Sequence, residues 1–339
     1  MLQNNLNYKK YVVDSRLQYF KPHSTKIEKT FSEEISFSLD RDSKFISPKF
    51  FYDKRGSELF EQICTLDEYY PTRTEISILE SIKNELPYFL NDSFRLVELG
   101  SGASVKTRLI LDIFDRIYDK IEYFPIDISE ILAESSEILL QDYEHLSITG
   151  IIDTYEGGLE FLQNFDNKKN LILFLGSSFG NFTPIDGSQF LRKIYSTMKS
   201  GDLFLIGLDL VKSTSILEKA YDDSKGITAK FNLNVLSRIN DELDADFDLQ
   251  SFKHLAIYNE KEQRVEMYLK SLVNQSVIIS KSNLSIDLRK DELIHTEYSH
   301  KFKIPQIEEL LKKIGFSIKK TWTDKNKMFS LTLVSKNSF

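Results

Sequence analysis

Hydrophobic and polar positions follow two different rhythms along this chain, and the changeovers mark its parts. Between Phe94 and Asp209 short apolar runs alternate with amphipathic stretches. Arg95–Leu99, Glu122–Ile126, Leu146–Ile152, Leu171–Leu175 and Asp202–Leu208 read as strands. Lys106–Phe114, Ser129–Tyr143 and Ile185–Met198 carry apolar residues at helical spacing. Strands that alternate with helices predict βαβ units on a parallel sheet. Their nearly continuous apolar character suits strands buried on both faces.

Outside that stretch the grain differs. Glu58–Ile63 is a short helical pattern, and Thr72 stands three residues before Glu75, which is capping-box spacing. Ile76, Leu79, Ile82 and Leu86 then predict a helix that Pro87 stops. After Asp209, Ser213–Tyr221 and Ile227–Glu242 look helical, and Glu262–Ile279 alternates with a period of two, as a half-exposed antiparallel strand does. Ile304–Ile314 is a predicted helix with Pro305 in its first turn, and Phe316–Lys320 and Phe329–Ser335 close the chain as an antiparallel pair. Residues 1–24 are polar without periodicity and are expected to be a loosely ordered arm. The predicted organisation is an α/β domain over 75–209 plus 301–339, and a second, discontinuous α+β domain over 25–74 plus 210–300.

Composition narrows the function classes. With 44 Lys+Arg against 51 Asp+Glu, the net charge is −7, which argues against a nucleic-acid binder or a partner of anionic membranes. No apolar run approaches the roughly 18–20 residues of a membrane span, and the first twenty residues lack the apolar core of a secretory signal. The single cysteine, Cys64, excludes an intramolecular disulfide and fits a reducing compartment, so a cytoplasmic protein is expected. The five histidines form no i,i+4 pair, and no metal site is expected.

The candidate chemistry lies at strand ends. Glu98-Leu99-Gly100-Ser101-Gly102 sits where a strand turns into a helix, and glycine lets backbone approach a ligand there. Val105 stands where a dinucleotide fingerprint has its third glycine, which disfavours a nicotinamide cofactor. Asp127, 25 residues after Gly102, ends the next strand, where a carboxylate can take two ribose hydroxyls. Asp153 ends the third strand, where it can accept from an adenine amino group. Three such features at successive strand ends form the pattern of a fold that binds S-adenosylmethionine (SAM). In the fourth strand's loop, Gly176–Phe182, Asn181 is the candidate to orient an acceptor.

Several long stretches go further: FFYDKRGSELFEQICTLDEYYPTRTE, LVELGSGASVKTR, FPIDIS, LGSSFGNF, AYDDSKGITAKFNLNVL, RVEMYL and HTEYSHKF. In them the chain resembles the histidine-specific N-alpha-methyltransferases of ergothioneine biosynthesis, which make hercynine. The resemblance runs from about Phe50 to the C-terminus. It implies a class I SAM-dependent methyltransferase (Rossmann-like) domain, with the discontinuous domain binding the amino acid. It also implies SAM as cofactor, S-adenosylhomocysteine as its product, L-histidine as substrate and a monomer. Gly100, Lys106, Asp127, Asp153 and Thr154 fall at its cofactor positions. Tyr69 (or Tyr70, one residue on), Asn181 and Tyr221 fall where the amino acid's backbone groups are held. Met267, Glu297 and Ser299 fall at the side-chain pocket, lined by Tyr52 and Phe60.

These residue types suit the reaction. Methyl transfer from a sulfonium to an amine needs a neutral amine aimed at the methyl carbon, and positioning supplies much of the acceleration. Tyr52, or bound water, is the candidate to take the amine's proton. Glu297 can accept from one imidazole N–H and Ser299 can serve the other nitrogen, and in an extended segment i and i+2 share a face. Two other functions fit the same chain: methylation of another aromatic amino acid, and SAM or amino-acid binding without turnover.

Overall fold

The computed structural model describes residues 7–23, 30–101, 105–128 and 131–336. The chain divides into two compact units. The first holds Met1–Thr25, Arg73–Leu210 and Phe302–Phe339; the second holds Lys26–Thr72 and Val211–Lys301.

Along the chain, the first unit contributes β1 (Tyr8–Val12), β2 (Leu17–Pro22), β3 (Phe94–Leu99), β4 (Ile121–Asp127), β5 (Leu146–Ile152), β6 (Lys169–Phe174) and β7 (Leu203–Asp209). The second contributes β8 (Phe252–Asn259), β9 (Arg264–Ser271), β10 (Gln275–Ile279), β11 (Leu284–Leu288) and β12 (Leu293–His300). The chain then returns to the first with β13 (Phe316–Thr323) and β14 (Phe329–Lys336).

In the first unit these strands form one sheet in the order β1-β2-β5-β4-β3-β6-β7-β14-β13. Strands β2 to β7 pair in parallel, whereas β1, β14 and β13 pair antiparallel to their neighbours. The alternation of strand and helix produces this sheet as expected. Successive residues of β3 show why its strands read as apolar throughout. Phe94 and Leu96 enter the core on one face with Ile110 and Phe114, and Val97 and Leu99 enter the other with Ile126 and Leu159. The order reverses at β3: the chain runs outward to β4 and β5, then resumes at β6 on the other side. Ligand crevices of open α/β sheets form at such a switch point, beyond the carboxyl ends of the strands.

Three expectations need correction. Residues 8–22 are a β-hairpin rather than a loose arm. Strand β2 pairs in parallel with β5 and buries Leu17 and Tyr19, an alternation too short to stand out among the polar residues around it. Thr72 and Glu75 form no capping box, because the helix begins at Tyr70 and Glu75 points elsewhere. The stretch 262–279 is two strands, β9 and β10, in different sheets.

The second unit holds the three-stranded antiparallel sheet β12-β9-β8 and the hairpin β10-β11. Helix Ile227–Leu243 packs on that sheet, and helix Lys54–Cys64 packs on Ile227–Leu243, with Phe51 against Phe231 at a ring separation of 4.7 Å. The inward residues of β9 are Val265, Met267, Leu269 and Ser271. Strand β12 pairs with β9 through a bulge between His295 and Glu297. A bulge re-aims the residues that follow it, and here Glu297, Ser299 and then Lys301 are all buried.

Candidate functional site

In the first unit the carboxyl ends of β3, β4 and β5 are joined by backbone hydrogen bonds. Gly100 N–H donates to Ile126 O at 2.9 Å, and Asp153 N–H donates to Asp127 O at 3.1 Å. Gly100 has φ +74°, and a Cβ there would lie 2.8 Å from the Tyr155 hydroxyl. The position therefore requires glycine both for its left-handed backbone and for room. Asp127 and Asp153 sit at adjacent strand ends, as expected. Thr154 caps helix Tyr155–Phe165, its hydroxyl accepting from Gly157 N–H. The Tyr155 phenol is held protonated by burial, with the negative charge of Asp127 adding to the effect. Gly102 lies outside the described residues.

Beyond β6, Gly176 (φ +75°) opens the loop that carries Asn181 at the end of a 3-10 turn, Ser178–Asn181. The left-handed Ser177 is held by its hydroxyl, which accepts from Asp209 N–H at 2.9 Å. The fully buried Glu75 accepts from Gly176 N–H at 3.0 and 2.9 Å and from Lys106 Nζ at 2.9 Å. Glu75 thus ties the expected Lys106 to the loop of Asn181. Sequence reasoning missed this role, because a carboxylate three residues after a threonine reads as a cap. Deeper in β3, Glu98 accepts from Thr107 (2.7 Å) and Tyr123 (2.6 Å), and burial pushes its carboxyl up to about 7.

In the second unit the expected residues form one connected patch. Rings run from Tyr52 to Phe60 (5.5 Å), Phe60 to Tyr69 (6.3 Å) and Tyr69 to Tyr221 (6.1 Å). The Tyr221 and Ser299 hydroxyls lie 2.7 Å apart, and Met267 stands opposite Glu297 across the β9–β12 ladder. Tyr69 has the expected neighbours, whereas Tyr70 accepts from Lys212 at 2.6 Å. Burial raises the Tyr69 phenol well above the usual range, with Tyr221, Cys64, Tyr52 and Glu297 adding to it, so Tyr69 acts as a donor at neutral pH. Tyr52 is 41% exposed.

Two further side chains shape this patch. Lys301, 2% exposed, donates from Nζ to Tyr221 Oη at 2.9 Å and to Ser299 Oγ at 2.8 Å. Its charge strengthens both hydroxyls as donors. The signal for Lys301 was available: it follows Ser299 by two residues, as Ser299 follows Glu297. His254 holds Tyr221 from behind. Asn232 Nδ2 donates to its Nδ1 at 2.8 Å and also to Tyr268 O at 3.0 Å, so the imidazole Nε2 carries the proton and donates to Tyr221 O at 2.8 Å.

Glu297 differs from its neighbours. It is 7% exposed, and its carboxylate makes no hydrogen bond among the described residues. Burial pushes it up to about 7, with the charge of Lys301 pulling the other way. Its acceptor sites therefore remain open to a donor.

Comparison with known proteins follows the same lines. Residues 31–336 match the family described as histidine-specific methyltransferase, SAM-dependent. The chain is 38% identical over 304 residues to the histidine N-alpha-methyltransferase of Mycobacterium tuberculosis, covering 89% of this chain and 94% of that one. It is 38% identical over 301 residues to the histidine N-alpha-methyltransferase of Mycolicibacterium smegmatis, covering 88% and 93%. It is 30% identical over 291 residues to ergothioneine biosynthesis protein 1 of Neurospora crassa, covering 84% of this chain but 32% of that longer protein.

Proposed function

Since this chain belongs to the SAM-dependent, histidine-specific methyltransferase family, we propose that it trimethylates the α-amino group of L-histidine to hercynine, the first step of ergothioneine biosynthesis. The observation that carries the substrate reading is the buried Glu297 carboxylate without a hydrogen-bond partner among the described residues, on one face of β12 with the Ser299 hydroxyl. A neutral imidazole offers one N–H and one bare nitrogen. Glu297 accepts from the first and Ser299, polarised by Lys301, donates to the second once the substrate has displaced its mutual hydrogen bond with Tyr221.

The first unit's strand ends fit the cofactor. Gly100 leaves a cradle that a Cβ would fill, and Asp127 supplies a carboxylate for the ribose hydroxyls. Lys106, Asp153 and Thr154 complete this binding set. When bound, SAM supplies an electrophilic methyl group on a sulfonium, whose charge disfavours a neighbouring ammonium. The chain's own residues position the acceptor. Tyr69 and Tyr221 donate to the substrate carboxylate, and Lys301 behind Tyr221 favours that anion. Asn181 orients the α-amino nitrogen. Tyr52, at the exposed end of the aromatic row, is placed to pass the amine's proton to solvent. Met267 and Phe60 supply apolar walls that exclude water.

Neutral donors around the backbone groups tolerate the primary, secondary and tertiary amine alike. Incubation with SAM and each of the twenty amino acids, read by mass spectrometry, is expected to give trimethylhistidine as the end product. A time course that stalls at monomethylhistidine, or methylation of another amino acid in its place, would overturn the reading. Binding without turnover would establish a non-catalytic role instead. The cofactor half has its own test: Asp127→Ala is expected to weaken SAM by about 1.5–3 kcal/mol, or about 10–150-fold, in titration calorimetry, through loss of a charge-assisted bond. Unchanged SAM affinity would remove Asp127 from the cofactor site.

A further inference from the structure

The β1–β2 hairpin reaches the cofactor half of the site through one side chain. Strand β1 pairs with β2, and β2 lies in parallel beside β5, whose end leads directly into Asp153. From β1 the half-buried Tyr8 donates its hydroxyl proton to Asp153 Oδ2, and Gly157 O lies 3.0 Å from the same hydroxyl. The Tyr8 ring packs edge-on against Phe161 at 4.9 Å, so the ring stays in place whatever the hydroxyl does. The other carboxylate oxygen, Oδ1, accepts from Thr154 N–H at 2.7 Å. The carboxylate is pressed against the first turn of helix Tyr155–Phe165, where a Cβ at Gly157 would lie 2.2 Å from Asp153 Oδ2. Burial and the bond to Asp153 raise the Tyr8 phenol, so it remains a donor throughout the working pH range.

We infer that Tyr8 is a positioning residue for purine recognition: it fixes the Asp153 carboxylate in the orientation that reads the exocyclic amino group of a 6-aminopurine. An ionised carboxylate has about four acceptor sites. Tyr8 and Thr154 N–H use one on each oxygen and leave one on each. Held on both sides, the carboxylate loses little freedom when a third donor arrives, and preorganisation of this kind appears directly in affinity. A 6-oxopurine presents an acceptor at the same place and is repelled by the same fixed charge. The inference rests on the assignment of Asp153 to adenine made above, and it gives the N-terminal hairpin a function in the cofactor site.

The test is titration calorimetry with S-adenosylhomocysteine and its 6-oxo counterpart, S-inosylhomocysteine, on wild type, Tyr8→Phe, Asp153→Asn and the double variant. Tyr8→Phe removes one oxygen and keeps the ring on Phe161. It is expected to weaken S-adenosylhomocysteine about 3–10-fold, the range of a single net hydrogen bond. It should leave S-inosylhomocysteine nearly unchanged, so the amino-over-oxo preference shrinks. In the Asp153→Asn background the same change is expected to have no further effect on that preference. A purely structural hairpin would weaken both ligands equally, and that result overturns the inference. If Asp153→Asn collapses the preference and Tyr8→Phe does not, the positioning role fails while the adenine assignment stands. If Asp153→Asn leaves the preference intact, the assignment fails and the inference with it.

Discussion

Replacing Glu297 with alanine is expected to lower kcat/KM for histidine by about 10–150-fold, equivalent to about 1.5–3 kcal/mol for a charged acceptor lost to a buried N–H. The effect follows from placement. Glu297 is buried in the second unit opposite Met267, whereas Gly100, Asp127 and Asp153, proposed above for the cofactor, belong to the first. SAM affinity should therefore hold. Phenylalanine and tryptophan should lose nothing, because a buried carboxylate that opposes an apolar ring has been removed. Steady-state kinetics with the three amino acids on both proteins decides the matter. Equal losses for all three would give Glu297 a folding role and take away the main reason for choosing histidine.

The half of the fold whose hydrophobicity carries both its stability and its pattern was legible from sequence. Strands β3 to β7 are buried on both faces, so they appear as apolar runs between amphipathic helices, and their ends locate Gly100, Asp127 and Asp153. The β1–β2 hairpin was hidden because β1 is mostly exposed and β2 buries few residues. Strand β12 was legible only as an extended segment around Glu297 and Ser299. Its inward positions after the bulge are Glu297 and Ser299, with Lys301 following, so the face that turns inward is polar and hydropathy misplaces it. Strand β8 shows the same effect, with His254 inward between Phe252 and Ala256. The resemblance over HTEYSHKF singled out Glu297 and Ser299, which periodicity did not. Glu75 and His254 act through other residues, on the loop of Asn181 and on Tyr221, and only the folded chain shows those links.

Glu297 also sets an expected dependence of stability on pH. Its carboxyl is pushed up to about 7 in the folded chain by burial, against about 4.5 for an ordinary glutamate. Between those values the folded chain keeps a proton that the unfolded chain has released. The unfolded state then binds fewer protons, so stability falls as pH rises through this window. The contribution is fully present below about pH 4.5 and lost above about pH 7, and its size is on the order of 3 kcal/mol. Glu297→Gln resembles the protonated acid in shape and stays neutral. It should leave the melting temperature nearly unchanged at pH 5 and raise it at pH 8, where wild type carries a buried charge that, among the described residues, only Lys301, itself donating to Tyr221 and Ser299, partly offsets. Thermal melts of both proteins at the two pH values make the comparison. A variant destabilised equally at both would mean that the carboxylate is already satisfied in the free protein, leaving no unmet acceptor for an imidazole N–H to complete. A gain confined to the higher pH means that the fold carries the cost of an unsatisfied charge, which is how a pocket built to be completed by its substrate behaves.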